Sequence, residues 1–292
     1  MSIRTKLISF TDKTLLRGVP RTFRVGKYTL LAERDHALPR ILAKHPTFGQ
    51  NLVHLAQAVE KKYPNHPIID IGANIGDTAA LIRSATSQPI ICVEGDSRFF
   101  ASLLENTEQM EKVTSHQVFL GDHDGETDGG VERHAGTLRL NTDTSSRPLT
   151  IRTLDRVLQA NAPDRDPKLL KIDTDGYDVA ILRGAQQLIA RTHPVLFFEF
   201  DRRFLEQNNE DGLVFLESLK HRGYDQILFY DNYGRLIVKT ALANTELLRD
   251  LFLYTHGKES AFPYYDIAVF HHSDNDLARE IAQTEKTTQK EK

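Results

Sequence analysis

Ile68-Ile69-Asp70-Ile71-Gly72-Ala73-Asn74-Ile75-Gly76-Asp77 decides the fold. A short apolar run stops at an acid. Two glycines follow at close spacing, and Thr78-Ala79-Ala80-Leu81-Ile82 continues as a helix. A strand that turns sharply into a helix, with little side-chain bulk at the turn, is how α/β proteins bring backbone against a nucleotide-like cofactor. Pro89-Ile90-Ile91-Cys92-Val93-Glu94 is a second apolar run ending in an acid, 24 positions after Asp70. In α/β nucleotide sites an acid about 20 residues beyond the glycine turn takes the ribose hydroxyls, and Glu94 is spaced for that role.

The spacing argues against two common cofactor classes. No Gly-Lys-Ser/Thr follows the glycines, as a phosphate-cradling P-loop requires. A dinucleotide site wants Gly-x-Gly-x-x-Gly against a pyrophosphate. The chain has Asp70-x-Gly72-x-Asn74-x-Gly76 instead. An acid opening the turn repels a pyrophosphate and suits a cofactor with positive charge, such as the ammonium and sulfonium of S-adenosylmethionine. Asn74 in place of a middle glycine is tolerable, because Asn enters left-handed backbone more readily than most residues.

Composition agrees with a soluble α/β protein. The 292 residues are 40% hydrophobic and 26% charged, and the net charge of −3 gives no reason to expect nucleic-acid binding. The single cysteine, Cys92, lies in an apolar run and reads as a small buried hydrophobe. That fits a reducing, cytoplasmic compartment. No apolar run approaches the roughly 18 residues that span a bilayer, and the N-terminus shows no secretory apolar region. Residues 1–27 hold seven Lys and Arg against Asp12 alone. This basic arm is expected to be solvated, with a peripheral membrane contact as the alternative. From Ser273 the composition turns polar and predicts a disordered tail. The expected organisation is an N-terminal extension over 1–63, a cofactor domain over 64–272 and the tail over 273–292.

Between the ends the chain alternates strands and helices. Lys27–Glu33 reads as a strand and Asn51–Lys61 as a helix. Helices over Asp77–Ser84 and Ser97–Asn106 flank the strand Ile90–Glu94, and Val118–Leu120 reads as a third core strand. Leu138–Leu140 and Leu149–Ile151 are expected to pair as a hairpin, and Thr153–Leu158 reads as a short helix. The polar loop around His123–Gly130 lacks calcium-loop spacing. Later come a helix over Gly212–His221, a strand over Tyr224–Tyr230, a turn into Leu236–Val238, a helix over Thr245–Tyr254 and a last, antiparallel strand over Tyr265–Phe270. The pattern predicts a doubly wound, mostly parallel sheet.

Acids crowd the ends of two further strands. Leu169-Leu170-Lys171-Ile172-Asp173 runs into Thr174-Asp175-Gly176-Tyr177-Asp178, and Pro194–Phe200 carries Glu199. Ligands of open parallel sheets sit beyond the carboxyl ends of the strands, so Asp173 is expected to face the same crevice as Asp70. Of twelve histidines none has metal-ligand spacing. His193 and His256 are the two considered near an acceptor.

Five ordered motifs carry a family resemblance. Asp70-Ile-Gly-Ala-Asn-Ile-Gly-Asp77, Val93-Glu94, Thr153-Leu-Asp155, Leu170–Asp178 with Leu182-Arg-Gly-Ala185, and Pro194–Glu199 resemble the FkbM family of S-adenosylmethionine-dependent methyltransferases. The resemblance implies a Rossmann-like class I methyltransferase fold, with a seven-stranded sheet whose last strand is antiparallel. It implies methyl transfer to a hydroxyl oxygen of a sugar, glycan or secondary metabolite. Asp70, Gly72, Ala73, Asn74 and Gly76 would line the methionine part of the cofactor, Glu94 would hold the ribose hydroxyls, and Asp173 would sit near the reactive methyl. Asp122 would accept from the adenine amino group, with Gly121 backbone as its alternative. The chain departs from the family at Gly95, where a proline commonly follows the acid.

In-line attack on a sulfonium needs positioning, desolvation and removal of one proton. Asp175, Asp178 and Glu199 are the candidate bases. The same carboxylates could hold Mg²⁺; the reading adopted has no metal. An NAD-dependent oxidoreductase and a non-catalytic cofactor-fold scaffold are the alternatives. The acceptor's identity and the oligomeric state are not legible.

Overall fold

The computed structural model describes residues 20–127, 130–134, 137–141, 148–161, 163–255 and 263–290. The described chain begins with an antiparallel hairpin, β1 (Arg21–Val25) and β2 (Tyr28–Ala32), and two helices, α1 (Leu38–Lys44) and α2 (Gln50–Lys62). β3 (Ile68–Ile71) then runs into α3 (Asp77–Ala85), and β4 (Ile90–Glu94) into α4 (Ser97–Thr107), before β5 (Val113–Gln117). β6 (Phe119–Leu120) and β7 (Gly125–Thr127) lead to a separate hairpin, β8 (Gly130–His134) with β9 (Thr137–Asn141). β10 (Leu149–Arg152) joins β6 and β7 in a small sheet. Next come α5 (Leu154–Ala160), β11 (Leu169–Ile172), α6 (Asp178–Arg183), α7 (Gln186–Thr192) and β12 (Val195–Phe200). The described chain closes with α8 (Arg202–Gln207), α9 (Gly212–His221), β13 (Tyr224–Tyr230), β14 (Leu236–Ala241), α10 (Thr245–Tyr254), β15 (Tyr265–His271) and α11 (Asn275–Lys290).

The main sheet has the order β14-β13-β15-β12-β11-β3-β4-β5. The five strands from β12 to β5 are parallel, and β15 lies antiparallel between β12 and β13. The chain winds outward from β3 to β5 and then returns to β11 on the other side of β3. This reversal opens a crevice beyond the carboxyl ends of β3 and β11. Strands β3, β4 and β11 are buried at every position, which explains why they are apolar except at Asp70, Glu94 and Lys171. One core packs Ile69, Ile71, Leu170 and Ile172 against α5, α6, α7 and α9. The other packs Ile68, Cys92 and Leu169 against α2, α3 and α11. The architecture is thus three layers, with helices on both faces of a mostly parallel sheet.

Four expectations are corrected. The sheet has eight strands, because β14 pairs with β13 after a tight turn at Gly234, whose φ is +77°. The third core strand is Val113–Gln117; as the half-exposed sheet edge it lacks an apolar run, whereas the apolar Val118–Leu120 faces the crevice. The hairpin joins β8 to β9, while Leu149–Ile151 pairs with β7 and β6. The polar end is helix α11, not a frayed tail. Its average composition hides an apolar stripe of Leu277, Ala278, Ile281 and Ala282 laid on the core. Glu285 on the same face meets His54 Nδ1 at 2.9 Å, and Lys62 on α2 reaches Asp276 at 2.6 Å. Residues 1–19 of the basic arm lie outside the described residues.

Candidate active site

The turn after β3 is built by backbone that few residues adopt. Gly72, Asn74 and Gly76 have φ of +69°, +48° and +85°. A Cβ on Gly72 would lie 1.9 Å from the Asp173 carbonyl oxygen, so only glycine lets the ends of β3 and β11 approach this closely. Gly72 and Ala73 N–H both donate to the Val93 carbonyl, at 3.0 and 3.1 Å, which ties the turn to β4.

Glu94 closes the other side. Its Oε2 accepts from Asn74 N–H at 2.9 Å and its Oε1 from Asp96 N–H at 2.8 Å. The side chain is buried, and burial pushes its pKa up while these two amides pull it down. The turn and the second acid are thus one hydrogen-bonded unit.

A cleft of about 610 Å³, its open mouth included, lies between this unit and β11. Gly72, Asn74, Glu94, Asp173 and Asp175 line it, so the structure brings five of the expected site residues together. Thr174 and Tyr177 complete the β11 side, and Phe99, Val118, Phe119 and Leu120 make an apolar wall next to Glu94. The Phe119 ring explains Gly95. A Cβ there would fall 2.3 Å from a ring carbon, leaving no space for a proline.

Six expected residues lie elsewhere. Asp70 is fully buried and does not line the cleft; its Oδ1 meets Lys171 Nζ at 2.9 Å beneath the turn. Lys171 also donates to the carbonyls of Ile71 at 3.3 Å and Gly72 at 3.1 Å. Burial alone would lower the Lys171 pKa, but Asp70 and Asp173 beside it win and hold it above its ordinary value. Asp70 therefore acts through Lys171 on the turn. Ala73 is buried, and Gly76 faces Leu103 and Thr107 of α4. Asp122 turns to His123 Nδ1 at 2.6 Å, with Arg183 at 3.8 Å, and Phe119 and Leu120 occupy the wall where it was expected.

Asp178 and Glu199 border a smaller cavity behind the cleft, with Gly176, Asp201, Phe204 and Leu205. Asp178 accepts from Thr174 Oγ1–H at 2.9 Å and Glu199 N–H at 3.3 Å. Burial and the nearby Asp173 push its pKa up to about 7. Glu199 is raised well above its ordinary value by burial and by Asp173, Asp178, Asp266 and Asp175. Asp266 on β15, opposite Glu199, is pushed up to about 8, first by burial and then by Asp173. Sequence reasoning did not single out Asp266. Lys171, a lone charge inside a buried strand, was a signal for an ion pair.

His193 stacks on His271 with ring centroids 4.0 Å apart, at the end of the sheet opposite the cleft, and His256 lies outside the described residues. Among the described residues no group of three or more His, Cys, Asp or Glu is placed to hold a metal ion. None of the described helices is long and apolar enough to cross a membrane.

A family model described as the methyltransferase FkbM domain matches residues 70–225. An FkbM methyltransferase from Methylobacillus flagellatus KT is 18% identical over 46% of this chain and 32% of its own, with a TM-score of 0.33. The aligned part thus spans about a third of that protein's length. An O-methyltransferase from Bacillus cereus in complex with SAH is 12% identical over 92% of this chain and 100% of its own, with a TM-score of 0.42. A putative O-methyltransferase from Klebsiella pneumoniae is 12% identical over 91% and 96%, with a TM-score of 0.42. No curated protein matches the chain.

Asp70→Asn takes from buried Lys171 its nearest counter-charge, leaving Asp173 at 3.9 Å. Such a change costs about 3–5 kcal/mol, read as a lower urea midpoint; a wild-type midpoint contradicts the assigned role. Asp266 titrates near 8 in the fold against an ordinary 3.8, so the folded chain holds the extra proton between these values. Stability then falls as pH rises through that window. Asp266→Asn is expected to shrink the loss of Tm between about pH 6 and pH 9 by roughly 2–4 °C. Equal pH slopes in variant and wild type would count against it.

Proposed function

The chain belongs to the FkbM methyltransferase family, and we propose that it is an S-adenosylmethionine-dependent O-methyltransferase acting on a hydroxyl of a sugar, glycan or secondary metabolite. The observation that carries this reading is the union of the glycine turn and buried Glu94 in one cleft, with Asp173 and Asp175 on its far side. The cleft fits the cofactor. The Glu94 carboxylate suits a pair of ribose hydroxyls, and the wall of Phe99, Val118, Phe119 and Leu120 suits the flat face of a base. Gly72, with no side chain, leaves room for close backbone approach to the aminoacyl part.

S-adenosylmethionine supplies an electrophilic methyl on sulfur. The chain's residues supply the rest. Glu94 and Asn74 hold the nucleoside against the turn. Asp173, Thr174 and Tyr177 shape the side on which an acceptor oxygen must sit in line. Asp175, the one candidate base that reaches the cleft, takes the acceptor's proton. Asp178 instead anchors Thr174 and the start of Glu199, and Glu199 stays behind that anchor. Positioning carries the larger share, because a sulfonium is already a good leaving group.

Calorimetry with S-adenosylhomocysteine tests the cofactor assignment. Wild type is expected to bind. Glu94→Gln, which removes the charge from a charged hydrogen bond of about 1.5–3 kcal/mol, is expected to bind roughly tenfold or more weakly. No binding by wild type would end the proposal. For the base, a panel of hydroxyl acceptors is screened for release of S-adenosylhomocysteine. With a positive acceptor Asp175→Asn should cut turnover by about 10²-fold or more at unchanged cofactor affinity. Undiminished turnover would remove Asp175 from this role.

A further inference from the structure

His36 lies outside the stretch 70–225 that the family model matches, yet it is buried against the cofactor turn. The loop after β2 brings it there. Its backbone N–H donates to the Glu33 carbonyl at 3.0 Å, and its carbonyl accepts from Arg21 Nη2 of β1 at 2.8 Å. The ring's two nitrogens are distinguishable by their neighbours. Nδ1 accepts from the Leu38 N–H at 3.3 Å, so in the neutral ring the proton is on Nε2. Nε2–H then donates to Asn74 Oδ1, also at 3.3 Å.

Asn74 lines the cleft, holds left-handed backbone, and gives its own N–H to Glu94. A continuous chain of hydrogen bonds therefore runs from Leu38 through His36 and Asn74 to the Glu94 carboxylate. We propose that His36 is a positioning residue for the cofactor site. Its Nε2–H fixes the orientation of the Asn74 amide, and with it the cleft-lining residue whose own N–H meets Glu94. The inference rests on the cofactor assignment above. Its consequence is that the extension over 20–49 completes a site whose motifs all lie further along the chain. His36 is anchored on both sides. Arg21 holds its carbonyl, and Glu33 beside it pairs with Arg98 of α4. Ring and amide therefore meet without a long flexible side chain to order, which is what pre-organisation of a binding site requires.

The test uses side chains that separate the two ring nitrogens. A Gln amide nitrogen lies near the place of a His Nε2, whereas an Asn amide nitrogen lies near that of Nδ1. His36→Gln thus keeps a donor for Asn74, and His36→Asn and His36→Leu do not. The full chain is titrated with S-adenosylhomocysteine by calorimetry, and thermal unfolding is recorded for each variant. His36→Leu and His36→Asn are expected to raise Kd about five- to tenfold, as for loss of one net hydrogen bond. His36→Gln is expected to stay within about twofold of wild type. Asn74→Ala, combined with His36→Leu, should weaken binding no more than Asn74→Ala alone. Two results overturn the inference: wild-type affinity in His36→Asn, or equal loss in the Gln and Asn variants. If His36→Leu does not fold, the Gln and Asn pair still decides. Failure of wild type itself to bind would overturn the cofactor assignment instead.

Discussion

The ion pair between Lys171 and Asp70 is the constraint on which the site is built. Taking two charges out of water costs several kcal/mol per ion, so such a pair persists only where its remaining protons are satisfied. Here the ammonium meets Asp70 Oδ1 and the carbonyls of Ile71 and Gly72. The two residues stand side by side on the central parallel strands β3 and β11, where the winding direction reverses. With those carbonyls held from beneath, Gly72 and Ala73 direct their N–H groups to Val93 and bind the turn to β4. A charge that looks suited to touching a ligand is instead spent on shaping the backbone that would touch it.

The acids divide by depth. Asp173 and Asp175 reach the cleft, and Asp178 and Glu199 lie behind it with Asp266 across the strand pair. Burial first, and then the proximity of like charges at the ends of β11, β12 and β15, raises the pKa values of the inner members. The inner acids thus lean toward their neutral forms near neutral pH, which lowers the repulsion that the outer two feel. Asp178 binds the Thr174 hydroxyl and the Glu199 amide, so it works as an internal brace of the β11 turn.

Much of this was legible in the sequence. Apolar runs buried on both faces gave β3, β4, β11 and β12, and the turn chemistry of Gly72 and Gly76 gave the crevice. What failed depended on averages or on depth. The edge strand β5 has no apolar run to betray it, and α11 hides four core residues in a polar composition. Asp70 was expected at the cofactor from its motif and Asp122 from its place after a strand, and neither lines the cleft. Spacing says where a side chain starts along a strand but not which neighbour claims it: Lys171 takes the first, His123 the second. His36 could not be found at all from motifs, since its contact with Asn74 spans 38 residues and depends on the hairpin packing beside α4.

Cys92 adds a property of a different kind. It is the chain's single thiol, fully buried in β4 between Asp70 of one neighbouring strand and Ser115 of the other, and burial holds its pKa far up. A thiol in that state is inert to alkylating reagents until the helix layer of α2, α3 and α11 packed over it lifts. The molecule carries its own alkylation clock for excursions of that helix layer, with one thiol to report them.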